Sequence, residues 1–165
     1  MLSRTASSLY WLGRYLERAD FTARLVEATV RLDALSSRPA GEAAWRSALA
    51  VSDTEDAFNA AHDALTPAKV ACFLTVDATH PGSIVSCLEL ARLNARAVRT
   101  ALSREAWTAI NRVWLLFDSR ELPAGDMETL SLMEAVKAET RGFEGAIQRE
   151  NDLLHAAIGR QFRFG

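Results

Sequence analysis

The stretch from Ser8 to Leu25 constrains this chain most, because both faces of the helix it predicts carry residues that need cover. At about 100° per residue, one face collects apolar residues at the spacing of a core seam: Leu9, Leu12, Leu16, Ala19, Ala23, Val26 and Val30. The opposite face interleaves charged with large apolar side chains: Tyr10, Arg14, Glu17, Arg18, Phe21 and Leu25. We therefore expect a second surface to cover the outer face of this helix.

A helical period of apolar residues continues along nearly the whole chain, and no strand-like alternation of any length interrupts it. The sequence therefore predicts an all-α bundle of six or seven helices with short loops. The first helix is expected from Ser3 or Thr5 to about Leu35, and the last from about Met127 onward. Those between are expected over residues 42–51, 53–64, 67–76, 84–102 and 103–117, with Asp53, Ser83 and Ser103 as capping residues.

The predicted fifth and sixth helices carry polar residues on otherwise apolar patterns. A charged ridge on the fifth has members at i, i+3, i+7 and i+10: Glu89, Arg92, Arg96 and Arg99. Asn94 lies at the edge of the apolar stripe, where its amide needs hydrogen-bond partners from a neighbouring helix or from a ligand held by the arginines. On the sixth helix, Trp107, Ile110 and Trp114 form a bulky stripe that we expect in the core.

Composition narrows the class of protein. A chain of 165 residues can bury the core of one domain, which we expect to span residues 1–165. The net charge of −2 argues against a nucleic-acid partner, and no apolar run reaches the ~20 residues of a membrane span. Cys72 and Cys87 lie in apolar helical patterns, so we expect buried, reduced thiols in a cytoplasmic protein.

Motifs for catalysis or cofactor binding are missing from the sequence. Paired Glu-x-x-His metal motifs and glycine-rich phosphate loops do not occur, and no nucleophile stands beside a base. The histidines at 62, 80 and 155 are scattered along the chain. We therefore expect no metal site and no cofactor, and we assign no catalytic residue.

The two ends of the chain resemble each other over five positions. Residues 12–16 read Leu-Gly-Arg-Tyr-Leu, and residues 158–162 read Ile-Gly-Arg-Gln-Phe. Both follow the pattern apolar-Gly-Arg-x-apolar, although five positions are too few to establish a duplication. The echo predicts that a second copy of the first helix begins near residue 154 and is cut short at Gly165.

Three stretches together resemble the bacterial Alpha-E proteins, a helical family named for its Glu-Arg motif. They are the echo, the N-terminal MLSRTASSLYWLGRYLERADFTAR and the central VDATHPGSIVSCLELARLNARAVRTALSREAW. The resemblance runs from Met1 to about Trp114 and is weaker beyond. Family members are typically about twice this length and carry a second Glu-Arg helix, so the chain looks like a half-length member.

The resemblance implies an association and no defined chemistry. Alpha-E proteins look like cytoplasmic companions of circularly permuted ATP-grasp ligases, often alongside peptidases, in systems that synthesise or process peptide or amide bonds. The motif carries over onto two groups of positions. They are Tyr10, Trp11, Gly13, Arg14, Glu17, Arg18, Ala19 and Arg24 near the start, and Asp77, Ser83, Ala91, Arg92, Asn94, Arg96, Arg99 and Trp107 in the middle. Where the family usually writes Asn-Pro-Ser-Ser, this chain has His80-Pro81-Gly82-Ser83.

The first functional hypothesis is a non-catalytic partner or scaffold subunit that presents the outer face of the first helix to an ATP-grasp ligase or to a second copy. Mixed aromatic and arginine surfaces are typical of interface hot spots. The competing structural interpretation is that the bundle itself covers this face, with Arg14 and Glu17 paired internally. A half-length chain is also expected to recover buried surface as a homodimer.

The second hypothesis is a small-ligand-binding or enzymatic module. Arg14, Arg18, Arg96 and Arg99 would bind a phosphate or carboxylate group between two helices, with Glu17 as an acid or base. Across both hypotheses, the candidate binding or interface residues are Tyr10, Trp11, Arg14, Glu17, Arg18, Phe21, Arg24, Asn94, Arg96 and Arg99.

Overall fold

The computed structural model describes the backbone of residues 2–161 and the side-chain surroundings of residues 3–153. Within the described backbone there are seven α-helices, one 3₁₀ turn at Arg99–Ala101 and no strand, which confirms the predicted all-α bundle. The helices are α1 (Leu2–Ala34), α2 (Arg38–Val51), α3 (Glu55–Ala61), α4 (Pro67–Thr75), α5 (Ile84–Ala97), α6 (Arg104–Leu115) and α7 (Asp126–Gln161). Across residues 2–161, the helices are too short or too polar to cross a membrane.

The first helix is the centre of the bundle and packs against α2, α4, α5 and α7. Its predicted seam is buried from Leu12 to Val30, and the alanines at 19 and 23 are fully buried. The prediction is wrong for Leu9, which is 37% exposed because it lies a turn nearer the exposed start of the helix. On the opposite side of α1, Tyr15 and Leu25 are half-buried against the core and most of the other side chains are exposed.

The fifth helix runs antiparallel to α1, so that its N-terminus lies beside the middle of α1. Ser83 caps it as predicted, and its Oγ accepts a hydrogen bond from the Ser86 N–H at 3.2 Å. The helix ends at Ala97 and not at the predicted Leu102, because the backbone at Val98 leaves helical geometry. Val98 and Leu102 are nevertheless buried, which explains why the apolar pattern continues past the end of the helix.

The junction between α2 and α3 also differs from the prediction. Asp53 does not cap α3 but terminates α2 in the left-handed conformation, with φ at 55°. Its N–H donates to the Ala50 carbonyl at 3.1 Å, and the Thr54 N–H donates to the Leu49 carbonyl at 3.0 Å. This pair of bonds defines a Schellman motif, whose left-handed position is usually glycine. The third helix then ends at Ala61, short of the predicted residue 64.

The seventh helix packs on α6 and α1 and makes polar contacts with α1. The Thr140 hydroxyl donates to Asp20 at 3.0 Å, and Lys137 donates to Glu27. A Cβ added at Gly142 would meet nothing within 4 Å, so no other element lies close to α7 at this glycine among the described residues. The predicted echo spans residues 158–162. The backbone is helical at 158–161, but the side chains of these residues, and the whole of residue 162, lie outside the described part of the chain.

The two cysteines are both free thiols, but only one is buried. Burial raises the pKa of Cys87 to about 11. Cys72 is exposed, so its predicted burial is wrong. It lies on the exposed side of α4, a helix that is apolar on most of its sides.

Candidate functional site

Most of the outer side of α1 is exposed in the described part of the chain, whereas Leu25, predicted on the same side, is half-buried against the core. An open groove of about 320 Å³ is lined by Trp11, Arg14, Tyr15, Glu17, Arg18 and Phe21. We call these six residues, with the adjacent Tyr10, the α1 face. Trp11 and Phe21 are each 47% exposed and Tyr10 is 61% exposed. Among the described residues, the bundle covers this side of α1 only in part, at Tyr15 and Leu25.

Two of the predicted charged residues form a surface pair. The Arg14 guanidinium donates to the Glu17 carboxylate at 2.5 Å, one helical turn apart, and both side chains are more than half exposed. Exposed pairs of this kind contribute about 0–1 kcal/mol to stability. Arg24 instead pairs with Asp20 at 2.6 Å, and Asp20 is held from its other side by Thr140. Arg24 therefore belongs to the contact with α7 and lies beside the α1 face.

Arg18 differs from both, because it is exposed and has no hydrogen bond or ion pair with any residue that the structure describes. It lines the groove on the α1 face and also a second cavity of about 330 Å³. We call this second space the loop cavity. It lies between α1 and the loops that precede α3 and α5, and Asp53, Thr54, His80 and Gly82 contribute to its wall. The unpaired cation at 18 therefore connects the two spaces.

His80 is a component of the loop cavity that the sequence reasoning missed. Its ring is only 8% exposed and stacks on Phe73 with ring centroids 4.1 Å apart. Burial lowers its pKa, opposed by the charge of Asp77 and assisted by that of Arg18. Its Nε2 is buried and has no hydrogen-bond partner among the described residues. The one available signal was the histidine that stands where the family usually has asparagine.

Gly82 is required for this arrangement of His80. A Cβ at position 82 would lie 2.7 Å from Nε2 of His80, closer than two such atoms can approach. The histidine and the glycine are therefore coupled, and neither role was visible from the apolar periodicity.

The structure does not gather the four arginines of the ligand-binding hypothesis in one cavity. Arg99 lies over the Trp107 ring at 4.9 Å. Arg96 lines a different cavity, of about 520 Å³, together with Leu93 and Trp114. Arg14 and Arg18 line the groove on α1, so the two pairs serve different surfaces.

The predicted ridge on α5 is also partly engaged within the bundle. Arg92 stacks over Trp114 at 4.2 Å and donates to Asn111 at 3.0 Å. Trp107 and Trp114 are consequently half-buried and not fully in the core as predicted. Asn94 donates to the Leu90 carbonyl of its own helix at 2.8 Å, so one of its amide N–H groups is satisfied within α5 and not by a neighbouring helix.

Gly13 lies on the exposed part of α1, and a Cβ there would meet nothing within 4 Å. Glycine inside a helix is less favourable than alanine by about 0.5–1 kcal/mol. We expect Gly13→Ala to raise the free energy of unfolding by about that amount, measured by urea denaturation. A destabilised variant would show that the space beside Gly13 is occupied.

The fold and the site together define an α-helical bundle whose central helix exposes a Glu-Arg dipeptide, Glu17-Arg18, among aromatic side chains. The chain belongs to the Alpha-E family, described as a predicted alpha-helical domain with a conserved ER motif, and the match covers residues 1–161. It therefore extends well beyond Trp114, where the sequence analysis expected the stronger similarity to end.

Curated relatives come from mycobacteria. Uncharacterized proteins of Mycobacterium bovis and of Mycobacterium tuberculosis strain CDC 1551 are each 32% identical over 153 residues. A third, from M. tuberculosis strain H37Rv, is 31% identical over 153 residues. In all three, the match covers 83% of this chain and only 17% of the relative. No solved structure matches the chain.

Proposed function

We propose that this chain is a non-catalytic partner module that docks through the α1 face onto an ATP-grasp-type ligase, in a system that synthesises or processes peptide or amide bonds. The observation that carries the docking proposal is the exposed cluster of aromatic side chains around the unpaired Arg18. The class of partner rests on the family resemblance. We expect this module to act in the bacterial cytoplasm.

The composition of the α1 face supports binding of a protein. Tryptophan, tyrosine and arginine are the residues most enriched among interface hot spots. Trp11 packs edge-on against Tyr10 at 5.4 Å and stacks on Tyr15 at 5.7 Å between ring centroids. These contacts already restrict the rings in the free protein, which lowers the entropy lost on docking.

The mycobacterial relatives carry the matched region within a longer chain. Because the matched region makes up 17% of each relative, it is joined there to a much longer polypeptide. Contacts between domains of one chain resemble those of transient protein complexes. A free aromatic and arginine surface on the Alpha-E bundle is suited to either form of contact.

The test reverses the charge at Arg18. We expect Arg18→Glu to weaken binding to the ATP-grasp-type ligase of the same organism about 30-fold, the loss typical of a hot-spot residue. Affinity is measured by isothermal titration calorimetry, with circular dichroism confirming that the bundle is intact. The matched control is Arg46→Glu, which reverses another exposed charge, on α2 and outside the α1 face. It should bind as the wild type does.

Two results would contradict the proposal. One is unchanged affinity for the ligase in the folded Arg18→Glu protein. The other is that the wild-type protein does not bind the ligase but sediments as a dimer, and that Arg18→Glu dissociates this dimer. That second result would make the α1 face a contact between two copies of this chain.

A further inference from the structure

The loop cavity contains two opposite charges that the protein leaves unsatisfied. Arg18 reaches it from α1, and Asp53 reaches it from the end of α2. Neither side chain makes an ion pair or hydrogen bond with a described residue, and the two do not pair with each other. Water screens exposed charges and makes their pairing weak, so both side chains remain available to a ligand. Both residues line the same cavity, so a molecule bound there can contact the two charges together.

The position of Asp53 is held by the backbone and not by its side chain. The Schellman bonds from the Asp53 and Thr54 amides fix the turn, so the carboxylate is free to contact a ligand. Asparagine and aspartate are the non-glycine residues that best tolerate a left-handed backbone. Glycine would fit this conformation better, but it would remove the negative charge from the cavity wall.

A buried polar atom in the same wall also lacks a partner. His80 is more than nine-tenths buried, it lines the loop cavity, and its Nε2 is unsatisfied within the described residues. Buried polar groups are nearly always hydrogen-bonded, and exceptions in a structure call for an explanation. Nε2 has no accessible surface and lies against Gly82, so the imidazole ring forms part of the cavity wall and a ligand contacts the ring without bonding to Nε2.

We propose that the loop cavity binds a small zwitterion, an amino acid or a short peptide, with its carboxylate on Arg18 and its ammonium group on Asp53. A guanidinium binds a carboxylate through two parallel hydrogen bonds, and a carboxylate is the natural partner of an ammonium group. The volume of about 330 Å³ is at the small end of ligand sites and suits a molecule of this size.

Binding of a zwitterion in the loop cavity does not depend on the proposed docking partner, although Arg18 contributes to both sites. Trp11 lines only the groove on α1, and Asp53 lines only the loop cavity. Trp11→Ala should therefore weaken docking and leave the zwitterion bound, whereas Asp53→Asn should do the reverse. Failure of one proposal is thus distinguishable from failure of the other.

The probes are L-alanine, L-alanyl-L-alanine, its N-acetyl derivative and its C-terminal amide, titrated into the isotope-labelled protein. The readout is the NMR signal of the His80 imidazole, which reports on the cavity itself. We expect the free amino acid or the free dipeptide to bind with a Kd on the order of 1 mM. Acetylation or amidation should each weaken binding about 10-fold, because each removes one charge. Tighter binding of the dipeptide than of alanine would identify a short peptide as the preferred ligand.

Two variants test the assignment of charges. Arg18→Gln should make the protein insensitive to amidation of the probe, and Asp53→Asn should make it insensitive to acetylation. Asparagine tolerates the left-handed backbone at position 53. The control is Asp63→Asn, because Asp63 is an exposed acid outside the cavity. The proposal fails if the His80 signal shows no saturable shift at about 20 mM probe, well above the expected Kd. It also fails if either variant loses affinity for all probes equally.

Discussion

Replacing Leu12 by alanine is expected to lower the free energy of unfolding by about 3 kcal/mol. Leu12 is fully buried in the seam of α1 against the rest of the bundle. Truncating it removes apolar contacts and leaves a cavity that a close-packed helix interface closes only in part. In a protein of this size, that loss lowers Tm by about 6–12 °C, which thermal unfolding followed by circular dichroism would detect.

The neighbouring residue is the matched control for this change. Trp11 is larger than Leu12 but is 47% exposed and contacts mainly Tyr10 and Tyr15. We expect Trp11→Ala to cost only about 0.5–1.5 kcal/mol, the range of an aromatic pair. Equal destabilisation by both substitutions would mean that the two sides of α1 are buried alike, and the α1 face would not be a free surface.

The contrast between these two positions shows how far the sequence predicts the fold. Heptad spacing identifies the buried side of α1 from Leu12 onward, because side chains three and four apart share a helix face. The same rule identifies α5 and its Ser83 cap. It overextends α5, since Val98 and Leu102 are buried after the helix has ended. Periodicity records burial and does not record the backbone geometry that achieves it.

The α1 face illustrates what a pattern of residues cannot decide. The sequence indicates that aromatic and arginine side chains share the outer side of the first helix, and the structure confirms that grouping. The sequence alone could not show whether the rest of the bundle covers these side chains. Cover depends on the directions of the helices around α1, which are set by packing between residues far apart in the chain.

The loop cavity was beyond sequence reasoning for the same reason. Arg18, Asp53 and His80 lie on three elements separated by about thirty residues each, and no periodic rule relates such positions. Asp53 was interpreted as a helix cap because an acid before Thr-Glu-Asp fits that pattern. The positive φ that places its carboxylate in the cavity wall is visible only in the backbone.

The second large effect is expected at the polar contact between α1 and α7. The Lys137 ammonium donates to Glu27, and both side chains are nearly buried, with 11% and 13% of their surface exposed. Glu134 and Arg31 complete the cluster at 2.9 and 2.8 Å from Lys137 and Glu27 respectively. Lys137→Met leaves the Glu27 carboxylate without its main cation. Because removing one partner of a buried pair costs several kcal/mol and Arg31 still compensates in part, we expect a loss of about 2–3 kcal/mol.

The dependence of this loss on pH identifies its cause. The hydrogen bond from Lys137 lowers the pKa of Glu27, so its contribution to stability is present above pH 4.5 and is lost as the pH falls through the lowered value. The hydrogen bond to Glu27 raises the pKa of Lys137, so its contribution is present below pH 10.5 and is lost as the pH rises through the raised value. The difference in the free energy of unfolding between wild type and Lys137→Met, measured by urea denaturation, should therefore be constant between these limits and shrink outside them.

The double variant Glu27→Leu, Lys137→Met should recover much of the loss, because an apolar pair needs no charge compensation. A loss in Lys137→Met that does not change at either extreme of pH would assign the effect to packing of the lysine stem and not to its charge.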